Sequence, residues 1–133
     1  MRPIPLGAKG TFSLLVAPQH LANQFKDEIL PPVLATPVMI MMMENAALNA
    51  IRPFLEAGES AVGTMVNIRH LAATPVGQSV RAEAEVTRVA GRLIEFTVAA
   101  SDETEAIGSG THERMVIDVK RLAQRLAAKT SKA

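Results

Sequence analysis

The segment that most limits this chain is TPVMIMMMENAALNAI, Thr36 to Ile51. It is apolar along nearly its whole length, yet it carries Glu44 at its centre. Thr36-Pro37 makes a good helix start, because threonine can cap free amides and proline suits the first helical position. The helix can run to about Phe54, with Pro53 near its end and Gly58 in the following turn. Upstream, GTFSLLVAP (Gly10 to Pro18) reads as a short strand closed by Pro18. A short helix fits Leu21 to Phe25, and Pro31-Pro32 breaks any helix there.

Beyond Gly58 the hydrophobic period changes from helix to strand. ESAVGTMVNIRHLAA places Val62, Thr64, Val66, Ile68 and His70 on one face. TPVG (Thr74 to Gly77) is a turn. QSVRAEAEVTRV alternates Val80, Ala82, Ala84 and Val86 with Arg81, Glu83 and Glu85. Ala90-Gly91-Arg92 is a hairpin turn, and LIEFTVAAS sends Ile94, Phe96, Val98 and Ala100 inward. DETE turns again, and AIGSGTHERMVIDV is the last long strand. The layout is a strand, a long helix and four consecutive antiparallel strands joined by short turns. Such a sheet has one wet and one dry face. The methionine helix is the one helix apolar enough to cover the dry face. The fold class is therefore α+β, a curved antiparallel sheet wrapped around a long central helix.

At 133 residues there is room for one domain, with a core of about residues 10–119 and a basic C-terminal helix or tail over 120–133. With no Trp, no Tyr and four Phe, that core must be aliphatic. A formal charge of +1 and so few aromatics argue against nucleic acid as a partner. The absence of cysteine excludes disulfides and thiolate metal sites. MRPIPLGAKG lacks the apolar stretch of a signal peptide, and Pro37 to Met43 is too short to span a bilayer. A cytoplasmic protein that does not enter the membrane is expected. KRLAQRLAAKTSKA has Leu122, Ala123 and Leu126 at helical spacing. A solvated terminal helix is favoured there over a surface-binding role.

Glu44 has Ile40, Met41, Ala47 and Leu48 as its helical neighbours, all apolar. Burial without a cationic partner raises a carboxylate's pKa, and groups so perturbed gather at functional sites. The alternative is a helix rotated enough for Glu44 to reach solvent or make a structural hydrogen bond. His70 ends the apolar face of its strand and points the same way. A Glu and a His aimed at one interior are candidates for general acid and base. Thr36 is either a plain cap or the place where helix-end amides polarise a carbonyl. Eight residues separate Thr36 from Glu44, roughly 12 Å along a helix. They can share one reacting atom only if the Thr36 loop folds back or if two subunits contribute one each. His20, His70 and His112 lack metal-ligand spacing, so no metal is expected. No P-loop, dinucleotide fingerprint or GxSxG elbow is present.

Three blocks, ATPVMIMMMENAAL, VGTMVNIRHLAATPVGQSV and EAIGSGTHERMVID, resemble the corresponding segments of the fluoroacetyl-CoA thioesterase family of hotdog-fold proteins. The resemblance runs from about Gly10 to Val119, and HLAATPVG and GSGTHER are its most specific parts. It implies hydrolysis of a short-chain acyl-CoA thioester to free acid and CoA. Coenzyme A would enter only as part of the substrate, with no separate cofactor. Catalytic Thr, Glu and His are implied at Thr36, Glu44 and His70. The glycine lining the acyl pocket is implied at Gly63 and the substrate-binding arginine at Arg114, for which a structural ion pair is the competing reading. A homodimer with the site at the subunit interface is also implied. The family's best-known member has aromatic residues before its threonine. Here that segment, KDEILPPVLA, has none, so Ile29, Leu30 and Leu34 are candidates to line an aliphatic pocket, and the methionines could adapt to different acyl chains. A hotdog hydratase or dehydratase, or a non-catalytic acyl-CoA binding protein, is the competing function, separated by CoA release.

Overall fold

The computed structural model describes residues 1–131. The strands are β1 (Lys9–Leu15), β2 (Glu59–His70), β3 (Ser79–Ala90), β4 (Leu93–Ser101) and β5 (Ala106–Asp118). The helices are α1 (Ala22–Phe25), α2 (Thr36–Ile51) and α3 (Val119–Thr130), with single 3-10 turns at Pro18–His20 and Arg52–Phe54. All five strands form one antiparallel sheet in the order β1-β3-β4-β5-β2. The strands after α2 are consecutive in sequence but not in space. β2 pairs with β5, so it becomes one edge of the sheet, and the link to β3 crosses to the other side.

The alternation read from β3 and β4 is the alternation of burial. Val80, Ala82, Ala84, Val86, Ile94, Phe96, Val98 and Ala100 are all buried. They meet Met39, Met42, Met43, Ala46, Ala47, Ala50 and Ile51 of α2. The buried methionines thus belong to the core, and of the cluster Met41 alone is exposed. The helix ends at Ile51, where Arg52–Phe54 tighten into the 3-10 turn.

β2 departs from its expected face. Its register on β5 slips between Gly63 and Met65, leaving Thr64 as the extra residue of a bulge. Gly63 therefore pairs with Arg114 on the inner face, while Val66, opposite His112, resumes that face after the bulge. Val62 and Thr64 do not share it: Thr64 bonds Glu113 on the other side at 2.6 Å. The HLAATPVG block is partly structural. The buried Thr74 hydroxyl donates to Asp102 at 2.8 Å, tying the β2–β3 link to the β4–β5 turn.

α2 lies chiefly against β1 and β3. The close approach to β1 occurs at Gly10, where an added Cβ would overlap the backbone of Ala46 and Ala50. Backbone cannot yield as a flexible side chain does. Gly10→Ala should therefore cost at least about 2 kcal/mol of stability, read as a lowered urea midpoint. An unchanged midpoint would mean that the helix does not sit this close to the sheet.

Candidate active site

Thr36 is the first residue of α2, but it does not cap it. Ala35 is the N-cap residue and no side chain bonds the helix end. The Thr36 hydroxyl is thereby free, and it shares a 2.7 Å hydrogen bond with His70 Nδ1. The segment entering the helix is pinned by backbone bonds, Leu34 N–H to Thr74 O (2.9 Å) and Ala35 N–H to His20 O (2.8 Å). His70 is the last residue of β2, opposite Gly108. Thr36 and His70 border a cleft of about 420 Å³ also lined by Lys26, Leu30, Val33 and Leu34. Ile29 is not in its lining but exposed to solvent. Burial lowers the His70 pKa below the ordinary histidine value, with the Ala72 backbone partly opposing it. At neutral pH the imidazole is neutral and can accept a proton.

Glu44 lies elsewhere, two helical turns along α2. Its carboxylate is 3.7 Å from the Arg114 guanidinium, so the expected lack of a cationic partner does not hold. The Glu44 side chain is also partly exposed, at 36 %, rather than sunk in the core. Gly63 faces this pair. A Cβ there would stand 2.9 Å from the carboxylate oxygen and 3.4 Å from His112 Cε1, so a larger residue would crowd the space or push the Glu44 side chain aside. Arg114 is buried and donates to Ala61 O at 2.7 Å. One chain thus gathers its expected residues into two groups, Thr36 with His70 and Glu44 with Gly63 and Arg114.

His112 has no metal-ligand spacing to mark it in the sequence. It is 1 % exposed and lies between Met65 and Arg114. Strand parity was the available signal, since His112 shares a face with Arg114. Its ring stacks on Phe96 with centroids 6.0 Å apart. Burial first, then the Arg114 charge, lowers its pKa, against the opposing Met65 bond and the Glu44 and Glu113 charges. The His20 side chain joins neither group, its Nδ1 accepting from Ala17 N–H at 2.9 Å. Among the described residues no group of three or more His, Cys, Asp or Glu could hold a metal. No helix among them is long and apolar enough to cross a membrane.

A long helix wrapped by a curled antiparallel sheet is the layout of the hotdog-fold thioesterases. The fluoroacetyl-CoA thioesterase FlK superposes with a TM-score of 0.89 at 33 % identity, covering 98 % of this chain and 99 % of that one. A thioesterase-superfamily protein of Thermus thermophilus superposes at 0.87 with 34 % identity, over 97 % of each chain. The chain belongs to the fluoroacetyl-CoA-specific thioesterase family, whose profile matches residues 16–120. It is 37 % identical over 130 residues to the fluoroacetyl-CoA thioesterase of Streptantibioticus cattleyicolor, covering 94 % of each. Membership makes the chain a thioester hydrolase of the acyl-CoA class.

The two lowered histidines set a pH dependence. In the unfolded chain each takes up a proton near the ordinary histidine value of 6.5, and in the folded protein only at lower pH. The unfolded state therefore binds more protons between those values, and folding stability falls as pH drops below the unfolded value. Urea midpoints should be lower at about pH 5.5 than at about pH 7.5. Replacing His112 with Gln should shrink that difference. A midpoint independent of pH in this window would contradict the burial of both rings.

Proposed function

We propose that this chain hydrolyses a short-chain acyl-CoA thioester to the free acid and CoA, with Thr36, Glu44 and His70 at the reacting carbonyl. The observation that carries the reading is the Thr36–His70 hydrogen bond beside an apolar cleft, in a member of a thioesterase family. The Thr36 hydroxyl and backbone N–H hold the thioester oxygen as negative charge develops on it, since Pro37 has no N–H and those of Val38 and Met39 are bonded to Ala35 O. Glu44 either attacks the carbonyl carbon, forming an acyl anhydride that water then hydrolyses to the free acid, or takes a proton from the water that attacks it directly. The C–S bond breaks and the leaving thiolate is protonated by way of His70. Gly63 leaves room for the acyl group and Arg114 lies against it. These side chains suffice for the chemistry, and coenzyme A is needed only as the substrate's carrier. The cytoplasm is the expected compartment, in keeping with a coenzyme A thioester as substrate.

The acyl group is best read as aliphatic. Leu30, Val33 and Leu34 line the cleft, where no aromatic side chain contributes. Variants of the solved relative FlK are known in complex with acetyl-CoA and with fluoroacetate.

The site is completed in a homodimer. Thr36 and Glu44 are roughly 12 Å apart along one helix, too far to meet at a single carbon. β2 is a twelve-residue edge strand, and Met65 and Val66 on it, with Met41 on α2, are exposed. An uncovered apolar edge of this length is a surface that natural sheets pair or protect. Pairing β2 with its copy brings Thr36 and His70 of one subunit towards Glu44 of the partner subunit.

The test is thiol release from acetyl-, fluoroacetyl-, propionyl-, butyryl- and aromatic acyl-CoAs. Turnover should fall about a hundredfold or more in Glu44→Gln and in Thr36→Val. Thr36→Ser, which keeps the hydroxyl, should retain much of it. CoA compounds that bind without any thiol release would overturn the reading in favour of a hydratase or a non-catalytic binder.

A further inference from the structure

Arginine donates hydrogen bonds and accepts none. Arg114 Nη1 lies 3.2 Å from His112 Nε2, so Nε2 is the accepting nitrogen. The ring proton is then on Nδ1, which donates to the Met65 carbonyl at 2.7 Å. That carbonyl is at the bulge that interrupts β2 between Gly63 and Met65. The bulge thus fixes one histidine tautomer, and the tautomer fixes an acceptor for the guanidinium. Nη2 of the same guanidinium is held by Ala61 O at 2.7 Å. With both ends gripped, Nη1 faces Glu44 at 3.7 Å across the space open at Gly63. Phe96 stacks on the ring, with centroids 6.0 Å apart.

We infer that His112 is a positioning residue that holds Arg114 in the orientation facing Glu44 and the acyl space at Gly63. The inference rests on the reading that Glu44 and Arg114 act at the acyl group. His112 Cε1 borders the space at Gly63, 3.4 Å from where a Cβ would stand, but both ring nitrogens are engaged by Met65 and Arg114, so its effect on the Glu44 pair passes through Arg114. Two substitutions separate its two bonds. Gln reaches far enough to offer Arg114 an acceptor, whereas Asn can keep the donor to Met65 but falls short of Arg114. Phe keeps the ring shape against Phe96 and loses both.

The experiment measures kcat and KM of His112→Phe in the wild-type and Arg114→Ala backgrounds, with His112→Gln and His112→Asn beside them. The substrate is the acyl-CoA that the wild type turns over fastest. His112→Phe should lower kcat/KM about tenfold or more in the wild type but less than about twofold when Arg114 is already absent, the mark of one residue acting through another. His112→Gln should recover most of the loss, chiefly in kcat, and His112→Asn should not. Equal losses in both backgrounds would overturn the inference, as would Asn outperforming Gln. If His112→Phe does not fold, the Gln and Asn comparison decides the matter alone. Full thiol release in both Glu44→Gln and Arg114→Ala would instead refute the roles assigned to Glu44 and Arg114.

Discussion

The structure depends on a close contact between a helix and the sheet that curls around it. α2 presents Ala46, Ala47 and Ala50 to strands that answer with Gly10, Ala82, Ala84 and Ala100. Small residues on both sides let the helix settle deep against β1 and β3. The methionines at positions 39, 42 and 43 then fill the irregular space that a core nearly free of aromatics would leave empty. A helix held this firmly places its first residue and its ninth at fixed points.

That rigidity explains why the polar residues divide into two groups. Thr36 emerges where α2 meets the end of β2, and Glu44 emerges where it meets the middle of β2 and β5. Neither can move towards the other without unpacking the alanine face. The chemistry proposed here therefore depends on the sheet edge as much as on the helix, because it is the proposed second copy across β2 that would bring the two groups to one carbon.

Much of this was legible from residue pattern. The alternation of Val80, Ala82, Ala84 and Val86, and of Ile94, Phe96, Val98 and Ala100, marks β3 and β4, since all of these are buried. Glu44 stood out because charge in an apolar helix needs a reason. Four features were hidden. The pairing of β2 with β5 is a long-range choice that local periodicity does not encode. The bulge at Gly63–Met65 reverses which β2 residues face inward, and a two-residue period counted straight through it misplaces Val62 and Thr64. Thr36 carried the pattern of a helix cap, and only the arrival of His70 from a distant strand gives its hydroxyl another partner. His112 needed both the pairing and the bulge before its two hydrogen bonds could be seen.

The most direct test of the shared site is to mix two inactive proteins, Thr36→Val and Glu44→Gln, under conditions that let subunits exchange. In a mixed dimer, one of the two sites carries both substitutions and the other carries neither. Thiol release should then return to about a quarter of the wild-type rate, since about half the dimers are mixed and half of their sites are intact. No recovery, with exchange of subunits verified, would contradict the account and place Thr36 and Glu44 at the same carbon within one chain.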